Sequence, residues 1–299
     1  MSGLLTLRGM SRESLEALLD SAQDLVSGSL PEGGIHGGAT VTTVFFEPST
    51  RTRLSFEKAA HHLGAHVMSF GVGPSSTAKG ESFKDTILTL AAMGTDVFVI
   101  RHWLADAAEL AATWSERPVV NAGVGRREHP TQTLIDALTM RQRFGRLDGL
   151  RMAIVGDVSN SRVARGHLAA LPTLGVEMTL VGPTPFLLDS DTWGVRTVTD
   201  LDAELGDIDV VYLLRIQRER GSSADIPSNQ GYARRYGMNQ ERLSMLKPTS
   251  VVMHPGPINR GLEIDDVSAD GDRSMILEQV ANGVPVRMAV LSRALEGPR

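Results

Sequence analysis

The chain has 299 residues, 41% of them apolar, with 30 glycines, no cysteine and a formal net charge of -5. That length suits two ordinary domains with sizeable cores, and an acidic balance without a face-forming run of Lys/Arg argues against nucleic acid as the main partner. The missing cysteines exclude a disulfide framework, a thiolate nucleophile and a cysteine metal site. No apolar run reaches the roughly 18 residues of a membrane span, and Met1-Ser2-Gly3-Leu4-Leu5 is not a basic region leading into a long apolar core, so a soluble, cytoplasmic protein is expected.

After a short arm, Ser11 is placed to cap a helix with Leu15, Leu18, Leu19, Ala22, Leu25 and Val26 on one 3.6-residue stripe, ending at Gly28 and Pro31. A glycine-rich loop then leads into an apolar strand, Thr40 to Phe46, which breaks at Pro48 into Ser49-Thr50-Arg51-Thr52-Arg53 and a helix. The first turn of a helix carries unpaired N–H groups and the positive end of the macrodipole, so an anion there is both bonded and partly neutralised. Hydroxyls at Ser49, Thr50 and Thr52 and the forked guanidinium groups of Arg51 and Arg53 suit a phosphate. The alternative is an N-capped helix with a solvated basic first turn, in which each arginine opposes the dipole at about 0.3 to 1 kcal/mol.

His66 to Phe70 alternates as a second strand and is followed by a Gly/Ser/Lys-containing loop, Gly71 to Ser82. A loop of about a dozen residues without apolar periodicity is uncommon in a compact domain unless it is a lid or disordered; Lys79 with Glu81 reads equally as a solvated pair. Asp85 begins a helical pattern through Ile87, Leu88, Leu90 and Ala91, with Gly94 as terminator. The buried-strand run Asp96 to Ile100 delivers Arg101-His102 to its C-terminal end, where parallel sheets bind ligands, although an ordinary strand-end arginine is as common. Val119 to Gly123 is a further strand, feeding His129-Pro130-Thr131-Gln132 into a helix from Leu134 to Phe144. His129 and Gln132, three apart, can face one pocket; a structural histidine is the alternative.

In the second half, Leu150 to Asp157, Glu177 to Pro183, Asp207 to Leu214 and Ser250 to Met253 repeat the strand-to-turn pattern. A Rossmann dinucleotide site is disfavoured because Gly-x-Gly-x-x-Gly is missing. Arg162 and Arg215 place two guanidinium groups at two sheet edges of one domain, which suits a dicarboxylate. Met275, Ile276, Val280, Val286, Met288, Ala289, Leu291 and Leu295 predict one or two terminal helices, interrupted at Gly283 and Pro285. The expected fold is α/β: two doubly wound domains, each a mainly parallel sheet flanked by helices.

Phe46-Glu47-Pro48-Ser49-Thr50-Arg51-Thr52-Arg53 with Ser55-Phe56-Glu57, then His129-Pro130-Thr131-Gln132, then His254-Pro255-Gly256-Pro257, resemble three signatures of the aspartate and ornithine carbamoyltransferases over nearly the whole chain. The resemblance implies a carbamoyl phosphate domain from residues 1-130 plus about 275-299 and an aspartate domain from 131-274. It implies transfer of the carbamoyl group of carbamoyl phosphate to L-aspartate, in de novo pyrimidine biosynthesis, with no cofactor or metal. Matched residue by residue, Ser49, Thr50, Arg51, Thr52, Arg101, His129 and Gln132, with Ser75 and Lys79 arriving from a neighbouring subunit, would hold carbamoyl phosphate. Thr52, Arg101 and His129 would be catalytic, stabilising the oxyanion. Lys79, Arg162, Arg215 and Gln217 would hold aspartate, and backbone carbonyls of Pro255 and Gly256 would accept from the attacking amine. The implied assembly is a homotrimer with shared active sites; a regulatory chain or a dihydroorotase are the further partners it admits. The absence of cysteine from the His254 turn favours the aspartate branch. Three positions depart from the family pattern: Val124 where Asp is usual, Asn160 where His is usual, and Ala105-Asp106 where Ser/Gly and Gly are common. A diverged paralogue with another amine acceptor and a non-catalytic assembly subunit are the alternatives.

Overall fold

The computed structural model describes residues 3–28, 34–71, 80–188, 193–216 and 228–297. It divides into two compact units, Met1–Leu138 with Val280–Arg299, and Thr139–Gln279. Both crossings fall inside helices, Pro130–Phe144 and Ile276–Glu296, a few residues beyond the expected boundaries at 130 and about 275. A continuous helix gives no composition shift for a sequence to reveal.

In the first unit, β1 (Thr40–Phe45), β2 (His66–Gly71), β3 (Val97–His102) and β4 (Val119–Val124) form a wholly parallel sheet in the order β2-β1-β3-β4. Helix α1 (Arg12–Ser27) is capped by Ser11, whose side chain accepts from the Ser14 N–H, and α2 (Thr50–His62) and α3 (Phe83–Ala92) are the crossovers after β1 and β2. Between α3 and β3 the chain turns at Gly94 with φ +93°, a conformation that costs a glycine little. Helix α4 (Ala107–Ser115) lays Ala107, Ala108, Ala111 and Ala112 into a core with Phe98, Ile100, Val119 and Val124. Strands β1, β3 and β4 are buried nearly throughout, as strands of a two-sided parallel sheet must be.

Of the one or two helices expected at the C-terminus the chain forms one, Ile276–Glu296, without a break at Gly283 or Pro285. An internal proline removes a hydrogen bond and costs about 3 kcal/mol. Against that stands an apolar face in which Val286, Met288, Ala289, Val290, Leu291 and Ala294 are all buried. Gly283 makes room: a Cβ there would stand 2.6 Å from Arg287 Nη1, which donates to the Gly283 carbonyl at 3.1 Å.

The second unit holds a five-stranded parallel sheet, β5 (Arg151–Val155), β6 (Glu177–Val181), β7 (Arg196–Val198), β8 (Val210–Leu213) and β9 (Val251–Met253), in the order β7-β6-β5-β8-β9. Short β7 carries no apolar run and was invisible in the sequence. Ala153, Val155, Val211, Leu213 and Val252 pack with Tyr232, Tyr236 and Ile264 in its core. Helix α6 (Arg162–Ala170) is the crossover from β5. At Gly156, φ +128°, a Cβ would meet Leu214 Cβ at 3.1 Å and the Leu214 carbonyl at 3.2 Å, so glycine suits both the backbone conformation and the close approach of the segments that leave β5 and β8.

Candidate active site

The order β2-β1-β3-β4 puts the first sheet's switch point between β1, whose next strand lies on one side, and β3, which lies on the other. Ligand crevices of doubly wound sheets open there, at the carboxyl ends of the strands. The Ser49–Arg53 turn leaves β1 beside Arg101 on β3, since Phe45 is in register with Arg101 and the Phe46 N–H donates to the Arg101 carbonyl at 2.8 Å. His129 follows β4 at the same edge.

Ser49 stands at the N-cap of α2, yet its side chain makes no capping hydrogen bond, and the first turn contains no acid. The first-turn N–H groups and the Ser49 hydroxyl are therefore uncommitted to each other. Thr50 and Arg51 are exposed and Thr52 is buried. Arg53 is drawn back along the helix by Glu57, at 3.9 Å, which also accepts from Ser69. Arg101 is fixed by Nη1 donating to the Ala122 carbonyl at 3.1 Å and by Glu47, 3.8 Å from its Nε. Glu47, given no role by the sequence, is thus the carboxylate that aims Arg101.

His129 is buried, and its carbonyl accepts from the N–H groups of Gln132, at 2.9 Å, and Thr133, so His129 and Gln132 both belong to the opening turn of α5 (Pro130–Phe144). Gln132 Nε2 donates to Asp136 Oδ1 at 2.9 Å. Immediately before His129, buried Glu128 accepts from Thr6 Oγ1 at 2.7 Å and from the Leu7 N–H at 2.9 Å, tying the N-terminal arm to this loop. The only signal for that role was an acid beside the His-Pro-Thr-Gln run.

His102 sits among Phe46, Phe83 and Trp103, and its Nδ1 accepts from the Leu104 N–H at 2.9 Å. Burial lowers its pKa from the ordinary 6.5 to about 4, with Glu47 opposing. The unfolded chain takes up this proton as pH falls through 6.5 and the folded protein only near 4, so stability present above 6.5 is lost across that window. His102→Gln is expected to flatten this part of the pH profile in urea unfolding between pH 7 and 4.5; an unchanged slope would contradict the assignment.

In the second sheet the switch point lies between β5 and β8. Arg162 opens α6 just after β5, with Ser161 Oγ accepting from the Ala164 N–H at 3.1 Å, and Arg215 follows β8. The two arginines accordingly share one edge on adjacent strands, not two separate edges as the sequence suggested, because β8 inserts beside β5 instead of extending the sheet past β7. Pro255 and Gly256 follow β9, the next strand along. Their turn is held by His254, whose Nδ1 accepts from the Gly256 N–H at 2.8 Å, while fully buried Glu263 lies 3.4 Å from His254 Nε2 and accepts from the Asn259 N–H at 2.5 Å.

Ser75, Lys79 and Gln217 lie outside the described residues, as does Pro31. Of the departures from the family pattern, Val124 is buried in the first unit's apolar core, where a carboxylate would need its own partner. Asp106 pairs with Arg127 at 2.6 Å, and Asn160 Nδ2 donates to both oxygens of Asp157, at 3.0 and 3.1 Å.

Family models match both halves of the chain: the carbamoyl-P binding domain of aspartate/ornithine carbamoyltransferase over residues 3–142 and the Asp/Orn binding domain over 148–294. An aspartate carbamoyltransferase catalytic subunit of Thermobifida fusca is 48% identical over 301 residues, covering 99% of this chain and 96% of the relative. One from Salinispora tropica is 54% identical over 265 residues, 87% of this chain and 86% of the relative. Among solved structures, aspartate transcarbamoylase of Trypanosoma cruzi in complex with N-(phosphonacetyl)-L-aspartic acid superposes with a TM-score of 0.87 at 33% identity, over 97% of this chain and 94% of that one. Ornithine carbamoyltransferase of Thermus thermophilus gives 0.87 at 27% identity, over 99% of each chain. With two arginine-bearing switch points, the three signatures and matches from end to end, the chain belongs to the aspartate/ornithine carbamoyltransferase family.

Proposed function

We propose that this chain transfers the carbamoyl group of carbamoyl phosphate to the amino group of L-aspartate, giving N-carbamoyl-L-aspartate and phosphate, the carbamoyl transfer of de novo pyrimidine biosynthesis. The observation that carries the reading is that each of the two sheets, taken by itself, brings arginines to its switch point. One sheet presents a hydroxyl- and arginine-rich helix start beside Arg101; the other presents Arg162, opening the helix that follows β5, and Arg215, just past the adjacent strand β8. The phosphate of an acyl phosphate suits the first, a dicarboxylate the second. The ornithine branch shares the fold, but the relatives at 48% and 54% identity carry the aspartate name.

In this reading Ser49, Thr50, Arg51 and Thr52 hold the phosphate, joined by Ser75 and Lys79 of a neighbouring copy. Thr52, Arg101 and His129 polarise the carbonyl and stabilise the oxyanion, one good donor contributing about 2.7 to 4 kcal/mol. The amine of aspartate, oriented by Arg162, Arg215, Gln217 and Lys79, forms the new C–N bond, and the carbonyl carbon–phosphate oxygen bond breaks. The departing phosphate takes the amine's proton, so no protein base is required. Pro255 and Gly256 carbonyls accept from the attacking amine and thereby orient its lone pair.

Carbamoyl phosphate consumption with aspartate, set against ornithine and a panel of other amines, tests the activity. Turnover with no amine would reject the enzyme reading in favour of an assembly subunit, and a preference for another amine would reject the roles of Arg162 and Arg215. We further propose a homotrimer acting in the cytoplasm; among the described residues no helix is long and apolar enough to cross a membrane. The mass of the purified chain in solution, alone and with a regulatory chain or dihydroorotase, reads the assembly directly.

A further inference from the structure

A primary amide presents an acceptor at one end and a donor at the other, so naming Gln132 as a ligand for the carbamoyl amino group leaves open which end it offers. In the structure Nε2 donates to Asp136 Oδ1 at 2.9 Å, one helical turn further on, and Asp136 is completely buried. A carboxylate accepts and does not donate; with the amide reversed, two oxygens would face each other at that separation. Asp136 in turn has a buried counter-charge. Arg287, on the helix Ile276–Glu296, is 4% exposed, lies with its guanidinium carbon 5.0 Å from the ring centre of Phe56, and is held by the Gly283 carbonyl. Burial pulls the Arg287 pKa down to about 9 and the Asp136 charge opposes that fall, so the two sense each other.

We propose that Asp136 is a specificity-determining positioning residue: by holding Gln132 Nε2 it presents Oε1 to the donor substrate, so that the site selects a carbamoyl NH2 over an isosteric methyl. The inference rests on the carbamoyl phosphate reading given above. It concerns discrimination rather than phosphate affinity, which belongs to Arg51 and the turn around it. A pocket offering a hydrogen-bond acceptor rejects the analogue without the donor because the acceptor is then left unpaired.

Two stable phosphonates of equal charge and nearly equal shape separate the contributions: phosphonoacetamide, which carries the NH2, and acetonylphosphonate, which carries a methyl in its place. Calorimetry on the full chain is expected to give about a tenfold preference for phosphonoacetamide, the worth of one buried hydrogen bond. In Asp136→Asn, where the neighbour both donates and accepts, that preference is expected to fall to about threefold or less, with acetonylphosphonate affinity unchanged. Because Asp136→Asn leaves Arg287 without its counter-charge, the double variant Asp136→Asn/Arg287→Met serves if the single one does not fold, with the same outcome expected. A merely structural role would weaken both phosphonates together. Full preference retained in the variants, or none in the unaltered chain, overturns the inference while leaving phosphate binding intact. Failure of the unaltered chain to bind either phosphonate would instead remove the carbamoyl phosphate reading on which it stands.

Discussion

Replacing Arg51 by alanine is expected to abolish useful carbamoyl phosphate binding, weakening it about 100-fold or more, while leaving the ligand-free protein as stable as before or slightly more so. The first effect follows from removing one partner of a charge-assisted contact to phosphate, which typically costs about 2 to 5 kcal/mol when the site is closed to water. The second follows from the helix itself. Arg51 is exposed in the first turn of α2, where no acid compensates it, and a cation there opposes the macrodipole by about 0.3 to 1 kcal/mol. An arginine that lowers stability without a ligand and raises it with one is held in place by function. Thermal unfolding with and without phosphonoacetamide checks both halves, since a ligand that binds only the folded state raises the midpoint by mass action. A large loss of stability without ligand would show that Arg51 is a structural residue instead.

Arg215→Ala is expected to raise the aspartate requirement about 100-fold with little change in carbamoyl phosphate affinity. Arg215 stands just past β8 and Arg162 just past β5, on the adjacent strand, so each can take one carboxylate of a dicarboxylate through a forked pair of hydrogen bonds. Losing one fork removes an interaction made equally in the ground and transition states, which raises KM more than it lowers kcat. Succinate, which keeps both carboxylates and lacks the reacting amine, should lose affinity by the same factor. Equal losses for carbamoyl phosphate and aspartate would contradict the division of labour between the two sheets.

These expectations differ in how far the sequence alone supports them. The phosphate turn was legible because it is local: strand, proline break, hydroxyls, arginines and helix lie within a dozen or so consecutive residues, and the dipole argument needs nothing else. Strand-end placement of Arg101 and Arg215 was legible for the same reason. What orients the Arg101 side chain was not, because Glu47 and the Ala122 carbonyl come from two neighbouring strands. Glu128 showed in the sequence only as an acid beside the His-Pro-Thr-Gln run, since its partners Thr6 and Leu7 lie more than 120 residues away. Asp136 was half legible: its spacing from Gln132 puts both on one helical face, but nothing nearby reveals Arg287 behind it. Gly283 and Pro285 misled because both count as breakers locally, whereas the packed face of the helix and the space needed by Arg287 decide the outcome.

By itself, then, the sequence determined the two doubly wound halves and the make-up of the helix start proposed to hold an anion, which follow from features within a turn or two of chain. Only the tertiary structure decided the strand orders β2-β1-β3-β4 and β7-β6-β5-β8-β9, because every buried parallel strand reads as the same apolar run whichever neighbour it pairs with. Those orders place the Ser49–Arg53 turn beside Arg101 and bring the segments that follow β5 and β8, which carry Arg162 and Arg215, out at neighbouring positions of one sheet edge. Tertiary structure likewise decided which way the Gln132 amide points, since its hydrogen bond to the buried Asp136 carboxylate, and not the identity of the amide, sets its direction.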